Sequence, residues 1–563
     1  MTWNWWAKAA VAAASISLLA LSFSCDGGGE QPSPTATITP GPALSPTPIA
    51  TAAATAPPRA ASPAVTLDLA DTAPLMTIFA ADPDDLHSDV PAVATADVNG
   101  DGLNDLLLGA RAGDGPENGR QDAGEAYVIY GSRTLGGSLD LRQGQQDITI
   151  YGAKVGDGLG FSVLGGDVNG DGTDDIAVSA PFSNGPFNER TDPGEVYVFF
   201  GRPDFNAVID LASDEPDVRI VAAEGFALFG DSLSIADVND DGIVDIIGGA
   251  PFAGREAGAP VGGPRTEVGA VYVVFGSPTL GGVIRAGVDE QYFTLASGER
   301  LSELGDNVAS ADVNDDGIAD IIAAAEAADG PDGERVNAGE VYVVFGSPEL
   351  GGTVSTAEGQ QNLTVLGAEP QDTLGFNMVT GDVNGDGIDD IILCARLADG
   401  PGNGRDTSGE AYVVFGSRSL GGTIDVAQAQ EDVTIFPAVD HLLIVAIASG
   451  DLNGDGISDI VLGTRYTGRR PPAGATAGTP GGEVYVLYGS RDLAGDVDLL
   501  RRGVDIAVLG AEPGDALGAA AAVADVNGDG VNELILVADG AAGPDNARAG
   551  AGEVYILSGL GGG

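Results

Sequence analysis

The chain has 563 residues, with 25 Lys plus Arg against 83 Asp plus Glu, a formal charge of -58, and 43% hydrophobic residues. That charge excludes nucleic acid and anionic membrane surfaces as partners, because both are held through basic patches that displace counterions. The many Val, Ile and Leu runs exclude a wholly disordered chain, since they supply enough apolar surface for a core.

In chain order, residues 1–25 read MTWNWWAKAAVAAASISLLALSFSC, with one lysine, Lys8, and an apolar run from Ala9 to Phe23. That run is short for a membrane span and fits a secretory signal peptide. Trp3, Trp5 and Trp6 are the only tryptophans and all lie inside it, so the exported protein would contain none. The small residues ending in Cys25 resemble the bacterial lipobox, although Ser22 stands where that motif usually has leucine and Leu21 comes one place early. The resemblance implies a lipid on Cys25 and an anchor at the cell surface or envelope; ordinary signal cleavage nearby is the alternative. Residues 26–64 are Pro, Thr, Ala, Ser and Gly with almost no large apolar side chain, and read as a disordered tether.

From residue 65 to 563 the sequence repeats. The string DVNGDGLND at Asp97 recurs in variant form at Asp167, Asp237, Asp312, Asp382, Asp451 and Asp525, with steps of 70, 70, 75, 70, 69 and 74 residues. Such a period is the mark of a repeat architecture. Within residues 146–201, four β-prone runs (DITIYG, FSVLGG, DIAVSA, EVYVFFG) are separated by Gly, Asp, Asn and Pro clusters, and no stretch has helical periodicity. Seven units of four antiparallel strands predict an all-β, seven-bladed β-propeller, with a linear solenoid as the competing architecture. The seventh repeat ends at GEVYILSGLGGG after its third run, and residues 65–85 align with the missing run. An N-terminal strand near Leu75 to Ala80 is therefore expected to complete the last blade, which makes sense only in a ring.

The acid loops carry the chemistry. Acid, amide and acid at positions 1, 3 and 5, a turn-forming glycine at 6, a backbone carbonyl at 7 and an acid at 9 gather hard oxygens, the preference of Ca2+, in the manner of the first half of an EF-hand loop closed early. The expected ligands are Asp97, Asn99, Asp101, Leu103 and Asp105 in the first copy, and Asp167, Asn169, Asp171, Thr173 and Asp175 in the second. The third and fourth copies offer Asp237, Asn239, Asp241, Ile243 and Asp245, then Asp312, Asn314, Asp316, Ile318 and Asp320. The fifth and sixth offer Asp382, Asn384, Asp386, Ile388 and Asp390, then Asp451, Asn453, Asp455, Ile457 and Asp459; the seventh offers Asp525, Asn527, Asp529, Val531 and Glu533. Up to seven Ca2+ would bind, with a structural role. An ion-free Asx turn is the alternative, against which stands the mutual repulsion of carboxylates so close together.

These residues resemble the FG-GAP repeats of the integrin α-subunit propeller and its bacterial relatives, most clearly in GFSVLGGDVNGDGTDDIAVSAPF and IADVNDDGIVDIIGGAPF. The resemblance implies a seven-bladed propeller with calcium between the first two strands of a blade, and a role in adhesion or ligand binding. The Phe-Gly element survives only around Leu159, Leu374 and Phe229, and the Ala-Pro element only at Ala180 and Ala250.

His87 and His441 are the only histidines and occupy non-equivalent places, Cys394 replaces a strand glycine, and no nucleophile elbow or HExxH is present. A non-catalytic binding, adhesion or scaffold module is expected, monomeric, with an extracellular protein or glycan as partner and membrane contact only through its anchor. An extracytoplasmic enzyme or lectin acting on glycans or glycolipids is the alternative. The variable loops between second and third strands hold Arg111, Arg120, Arg190, Arg255, Arg265, Arg335, Arg396, Arg405, Arg465, Arg469, Arg470 and Arg548. Variable loops on a rigid scaffold are where recognition usually sits. Arg465, Arg469 and Arg470 with Tyr466 cluster with no acid between them and are the expected ligand contacts.

Overall fold

The computed structural model describes residues 65–560 apart from 84, 87–91, 187–190, 255–267, 290–291, 300, 406, 438–443 and 465–480. Blade I shows how one repeat folds. Its first strand, Val93–Ala96, leads through the acid loop into the second, Asp105–Ala110, all six residues of which are buried. That strand has neighbouring blades packed on both faces, so its sequence DLLLGA is continuously apolar after the acid instead of alternating. The third strand, Glu125–Ile129, and the fourth, Ile148–Tyr151, complete an antiparallel set. First strands of adjacent blades touch one another and line the central channel.

Seven such sheets form the ring, blades I to VII in the order of their acid loops. The core lies between blades rather than within them: Ile78, Ile535 and Val554 of blade VII share one cluster with Leu106 and Leu108 of blade I. Among the described residues no helix is long and apolar enough to cross a membrane.

The expectation of four-stranded antiparallel blades is corrected: every sheet has five strands. After its third strand each repeat turns back over the preceding blade and adds a short parallel strand to that blade's outer edge before forming its own fourth strand. Val208–Asp210 of the second repeat pairs in this way with Thr149 to Tyr151 of blade I, and Gly352–Ser355 with Phe293 to Ala296 of blade III. The physical reason is the open outer edge of a four-stranded blade, whose unpaired backbone groups the neighbour covers.

Ring closure is as expected and goes further. Met76–Phe79 pairs antiparallel with Glu553–Leu557 as the fourth strand of blade VII, and the preceding strand Val65–Asp68 lies parallel on Ile506–Leu509 as the fifth strand of blade VI. The two ends of the propeller thus meet inside the connection between third and fourth strands.

Candidate functional site

The seven acid loops share one internal wiring. In blade I the carboxylate at position 1, Asp97, accepts the N–H groups of Asp101 and Gly102 at 3.0 and 2.8 Å, and Asp101 accepts that of Leu103 at 3.0 Å. Gly102 turns at φ +87 with open space around it, so glycine is needed for its conformation alone. The position-3 amide, Asn99, donates to Asp105 at position 9. Asp105 in turn accepts N–H from Val98 in the loop and from Gly131 at the end of the third strand. A Cβ on Gly131 would lie 2.3 Å from the Asn104 carbonyl, so only glycine lets the third strand reach this carboxylate. The same position-9 bonds recur at Asp175, Asp245, Asp320, Asp390 and Asp459, and Glu533 takes the Val526 N–H. The acid therefore abuts the buried strand because its carboxylate ties two strands and their loop together.

All seven position-9 carboxyls are at most 1% exposed. Burial pushes each up to about 7 against the pull of its N–H partners, and the acids at positions 1 and 5 add to the rise. A hard cation would remove that repulsion, and the oxygen-only donor set fits calcium. The loop carboxylates are spaced for their N–H partners: among the described residues, the only three acid or histidine groups with ligand atoms all within 4.8 Å of one another are Glu303, Asp306 and Glu326.

Those three lie at the other end of the channel. First strands run from this mouth to the acid loops and second strands run back, so the mouth is formed where first strands begin and second strands end. Asp306 stands just before the first strand of blade IV, Val308–Ala311, and Glu326 just after the second, Asp320–Ala325. Burial, with Glu326, Glu303 and Asp231 close by, holds the Asp306 carboxyl well above its usual range, and burial takes Asp231 to about 7. Other blades place aromatic and basic residues at the same positions. The Arg396 guanidinium lies 3.9 Å from the Phe376 ring centroid, and Arg111 lies 5.4 Å from that of Phe161, which meets Phe182 edge-on. A cavity of about 320 Å³ inside the channel is lined by Ser234, Ser310, Thr380, Ser449, Met378 and Ala521 among others.

The loop arginines divide into two groups. Arg120, Arg335, Arg405 and Arg548 each bind the carbonyl that follows their blade's fourth strand and pair with the aspartate ending its fifth: Asp210, Asp425, Asp498 and Asp140. They are latches for the borrowed strand. The Arg396 guanidinium, half-buried, has its stacking contact with Phe376 but neither a hydrogen bond nor an ion pair. Arg465, Tyr466, Arg469 and Arg470 lie outside the described residues, as do Arg190, Arg255, Arg265, His87, His441 and Cys25. Cys394 is fully buried, its thiol pushed up to about 12 by burial, as expected of a packing residue. Sequence reasoning missed the mouth carboxylates, which come from non-equivalent places in two repeats.

The FG-GAP repeat family model matches residues 90–129, 159–199, 229–274, 445–487 and 517–557, which are blades I, II, III, VI and VII. Blades IV and V fold the same way without a match. Phosphatidylinositol-glycan-specific phospholipase D of Homo sapiens is 30% identical over 223 residues, 39% of this chain and 24% of that protein. Integrin alpha-PS2 of Drosophila melanogaster is 41% identical over 115 residues, 20% of this chain and 8% of that one. The chain thus spans less than a quarter of the length of either relative. Among solved structures, the Bacillus licheniformis rhamnogalacturonan lyase PL11 superposes with TM-score 0.37 at 11% identity, over 84% of this chain and 72% of that one. The V. cholerae biofilm matrix protein Bap1 gives 0.35 at 12%, over 86% and 91%.

Proposed function

Because the chain is a seven-bladed propeller carrying FG-GAP repeats, we propose that it is a calcium-stabilised, non-catalytic binding or adhesion module displayed outside the cytoplasmic membrane. Residues 1–25 export it, a lipid on Cys25 anchors it to the bacterial envelope, and residues 26–64 hold the propeller away from the surface. Calcium is held by positions 1, 3, 5, 7 and 9 of each acid loop, from Asp97, Asn99, Asp101, Leu103 and Asp105 to Asp525, Asn527, Asp529, Val531 and Glu533. Bound there, it supplies positive charge beside the buried position-9 carboxyls. The partner is an extracellular protein or glycan, met by the mouth and the variable loops around it. The observation that carries this reading is the contrast among the loop arginines: four are committed to latches, while Arg396 keeps an unpaired guanidinium on an aromatic platform at the channel mouth. The test is a capture of envelope proteins and glycans on the mature chain, with and without calcium. Capture that persists in the Arg396→Ala variant would count against the mouth, and absence of any capture would count against a binding role.

A second reading is favoured by one observation. Glu303, Asp306 and Glu326 offer carboxyl oxygens within 4.8 Å of one another with Asp306 held protonated, an arrangement that can deliver a proton to a glycosidic oxygen. Under it the protein is an extracytoplasmic enzyme or lectin for glycans or glycolipids. Hydrolysis by the wild type that is lost in Asp306→Asn would establish it; no hydrolysis across a glycan and glycolipid panel would remove it.

A further inference from the structure

Four blade junctions bury acids in pairs, away from the acid loops and the mouth. The connection leaving a fourth strand carries an aspartate, and the next blade's third strand opens with a glutamate. Asp85 faces Glu125 between blades VII and I, Asp157 faces Glu195 between I and II, Asp372 faces Glu410 between IV and V, and Asp515 faces Glu553 between VI and VII. All eight are at most 8% exposed. Each glutamate accepts the hydroxyl of the tyrosine two residues on, at 2.9 Å from Tyr197 and 2.6 Å from Tyr555. Three of the aspartates accept the N–H three residues back, from Asp82, Glu369 and Glu512. Asp157 Oδ2 has no hydrogen-bond partner.

The surroundings supply little positive charge. Asp85 is faced by Glu125, Asp82, Asp114 and Tyr127; Asp372 by Glu410, Glu369, Asp399 and Tyr412; Asp515 by Glu553, Glu512 and Tyr555, with Arg548 acting on Glu553. The junction between I and II differs, since Lys154 faces Asp157 together with Asp192, and Arg219 lies 3.6 Å from Glu195.

Blade III provides an internal control. It has Ala227 where these aspartates stand and Ala270 where the glutamates stand, so both members of the pair are absent together. Its Tyr272 is kept and packs edge-on against Phe229 instead. Joint absence is what a pair acting as a unit requires, because either acid alone would be a buried group without its partner.

We propose that the aspartate–glutamate pairs at these junctions share a proton, and that losing it in alkaline conditions loosens the ring, most of all at the seam formed by blade VII. Two of the three junctions with little positive charge border that blade, which is assembled from both ends of the propeller. A proton between two buried carboxyls turns a repulsion into a hydrogen bond; once it leaves to solvent, two like charges remain in a dry site.

The acid shifts agree. Burial pushes Asp85 up to about 8, Asp157 and Asp372 to about 7 and Asp515 to about 6, and it raises Glu125, Glu410 and Glu553. A carboxyl raised in the folded state binds its proton more tightly there than in the unfolded chain. Its stabilisation is complete below about pH 4 and is lost as pH rises through about 6 to 8.

The test uses the mature chain in saturating calcium, which keeps the acid loops charged throughout. Its melting temperature should fall by several degrees between about pH 5.5 and about pH 9. The sixfold variant Asp85→Ala, Glu125→Ala, Asp372→Ala, Glu410→Ala, Asp515→Ala and Glu553→Ala reproduces the solution found in blade III and should lose most of that fall. A wild type flat with pH, or a variant that falls in parallel with it, overturns the proposal. Infrared spectra of the wild type decide the matter even if the variant does not fold. They should show the C=O stretch of protonated carboxyls near pH 6 and its loss by about pH 9; no such band near pH 6 overturns it equally.

Discussion

The two faces of the propeller are built on opposite principles. On the acid-loop face, seven copies of one hydrogen-bonded unit are laid side by side, and the turn after each third strand docks on the loop before it. Ser132 N donates to the Val526 carbonyl in this way, Arg202 N to Val98 and Ser417 N to Val313. At the channel mouth, equivalent positions hold phenylalanine, arginine, aspartate or glutamate according to the blade. A face on which every blade makes the same bonds is occupied with holding the ring, whereas a face whose chemistry changes round the axis can present one particular pattern to a partner. Changes on the first should therefore cost stability, and changes on the second should cost binding.

The largest effect should come from the element both faces depend on. Deleting residues 65–80 removes the fifth strand of blade VI and the fourth of blade VII and opens two sheet edges. A soluble monomer with a cooperative melt is not expected from that variant by size exclusion and circular dichroism, whereas deleting residues 26–63 should leave melting nearly unchanged. Chelation comes next. Seven sites that bind the native state alone would each contribute about 2.7 kcal/mol at a hundredfold excess of Ca2+ over Kd. Melting should drop sharply in chelator and recover better with Ca2+ than with Mg2+; an unchanged curve after exhaustive chelation would remove calcium from the account of the acid-loop face.

A single position-9 change should cost less. Asp320→Ala leaves the N–H groups of Val313 and Gly346 and the Asn314 amide without their acceptor in a buried site, for a loss of about 3 kcal/mol in denaturant titrations. The latches come below it. Arg405 makes two bonds to Asp498 at 2.7 and 2.8 Å with both side chains largely buried, so Arg405→Ala should cost about 2 kcal/mol. Arg405→Lys should recover only part, because an ammonium cannot form the paired contact. If Arg405→Ala instead abolished partner binding without a change in melting, the division between the faces would fail.

Much of the ring was legible because its period, its acid loops and the displaced run near Leu75 to Ala80 are each written in several residues. The fifth strand was not, because it is only three to five residues long and follows the GSRTLGG stretch that reads as a turn. The recurring GGSLDL and GGTIDV pattern is its signal, with the aspartate that the latch arginine binds at its end. The aspartate–glutamate pairs were likewise present in the sequence, at Asp157 and Glu195 for instance, but 38 residues separate them and only the fold sets them face to face. The mouth was least legible. Repeats announce what they share, and Asp306, Glu326 and Arg396 matter through what their blades do not share.

The smallest expected effect on stability is therefore the sharpest test of the comparison. Arg396 has no hydrogen bond or ion pair to lose, so Arg396→Ala forfeits only its contact with Phe376, worth about 0.5–1 kcal/mol at a partly exposed site. Calcium-dependent melting should move by no more than a few degrees. A partner that places a carboxylate or sulfate on this guanidinium should bind at least tenfold more weakly, about 1.4 kcal/mol. Arg396→Lys keeps the charge and loses the planar stack, so it should recover part of the affinity if charge dominates and none if stacking on Phe376 does. Arg418 makes the matching control on the acid-loop face, where it pairs with Asp315 at 2.5 Å and is largely exposed. An Arg418→Ala variant that lost binding while Arg396→Ala kept it would reverse the assignment of the two faces.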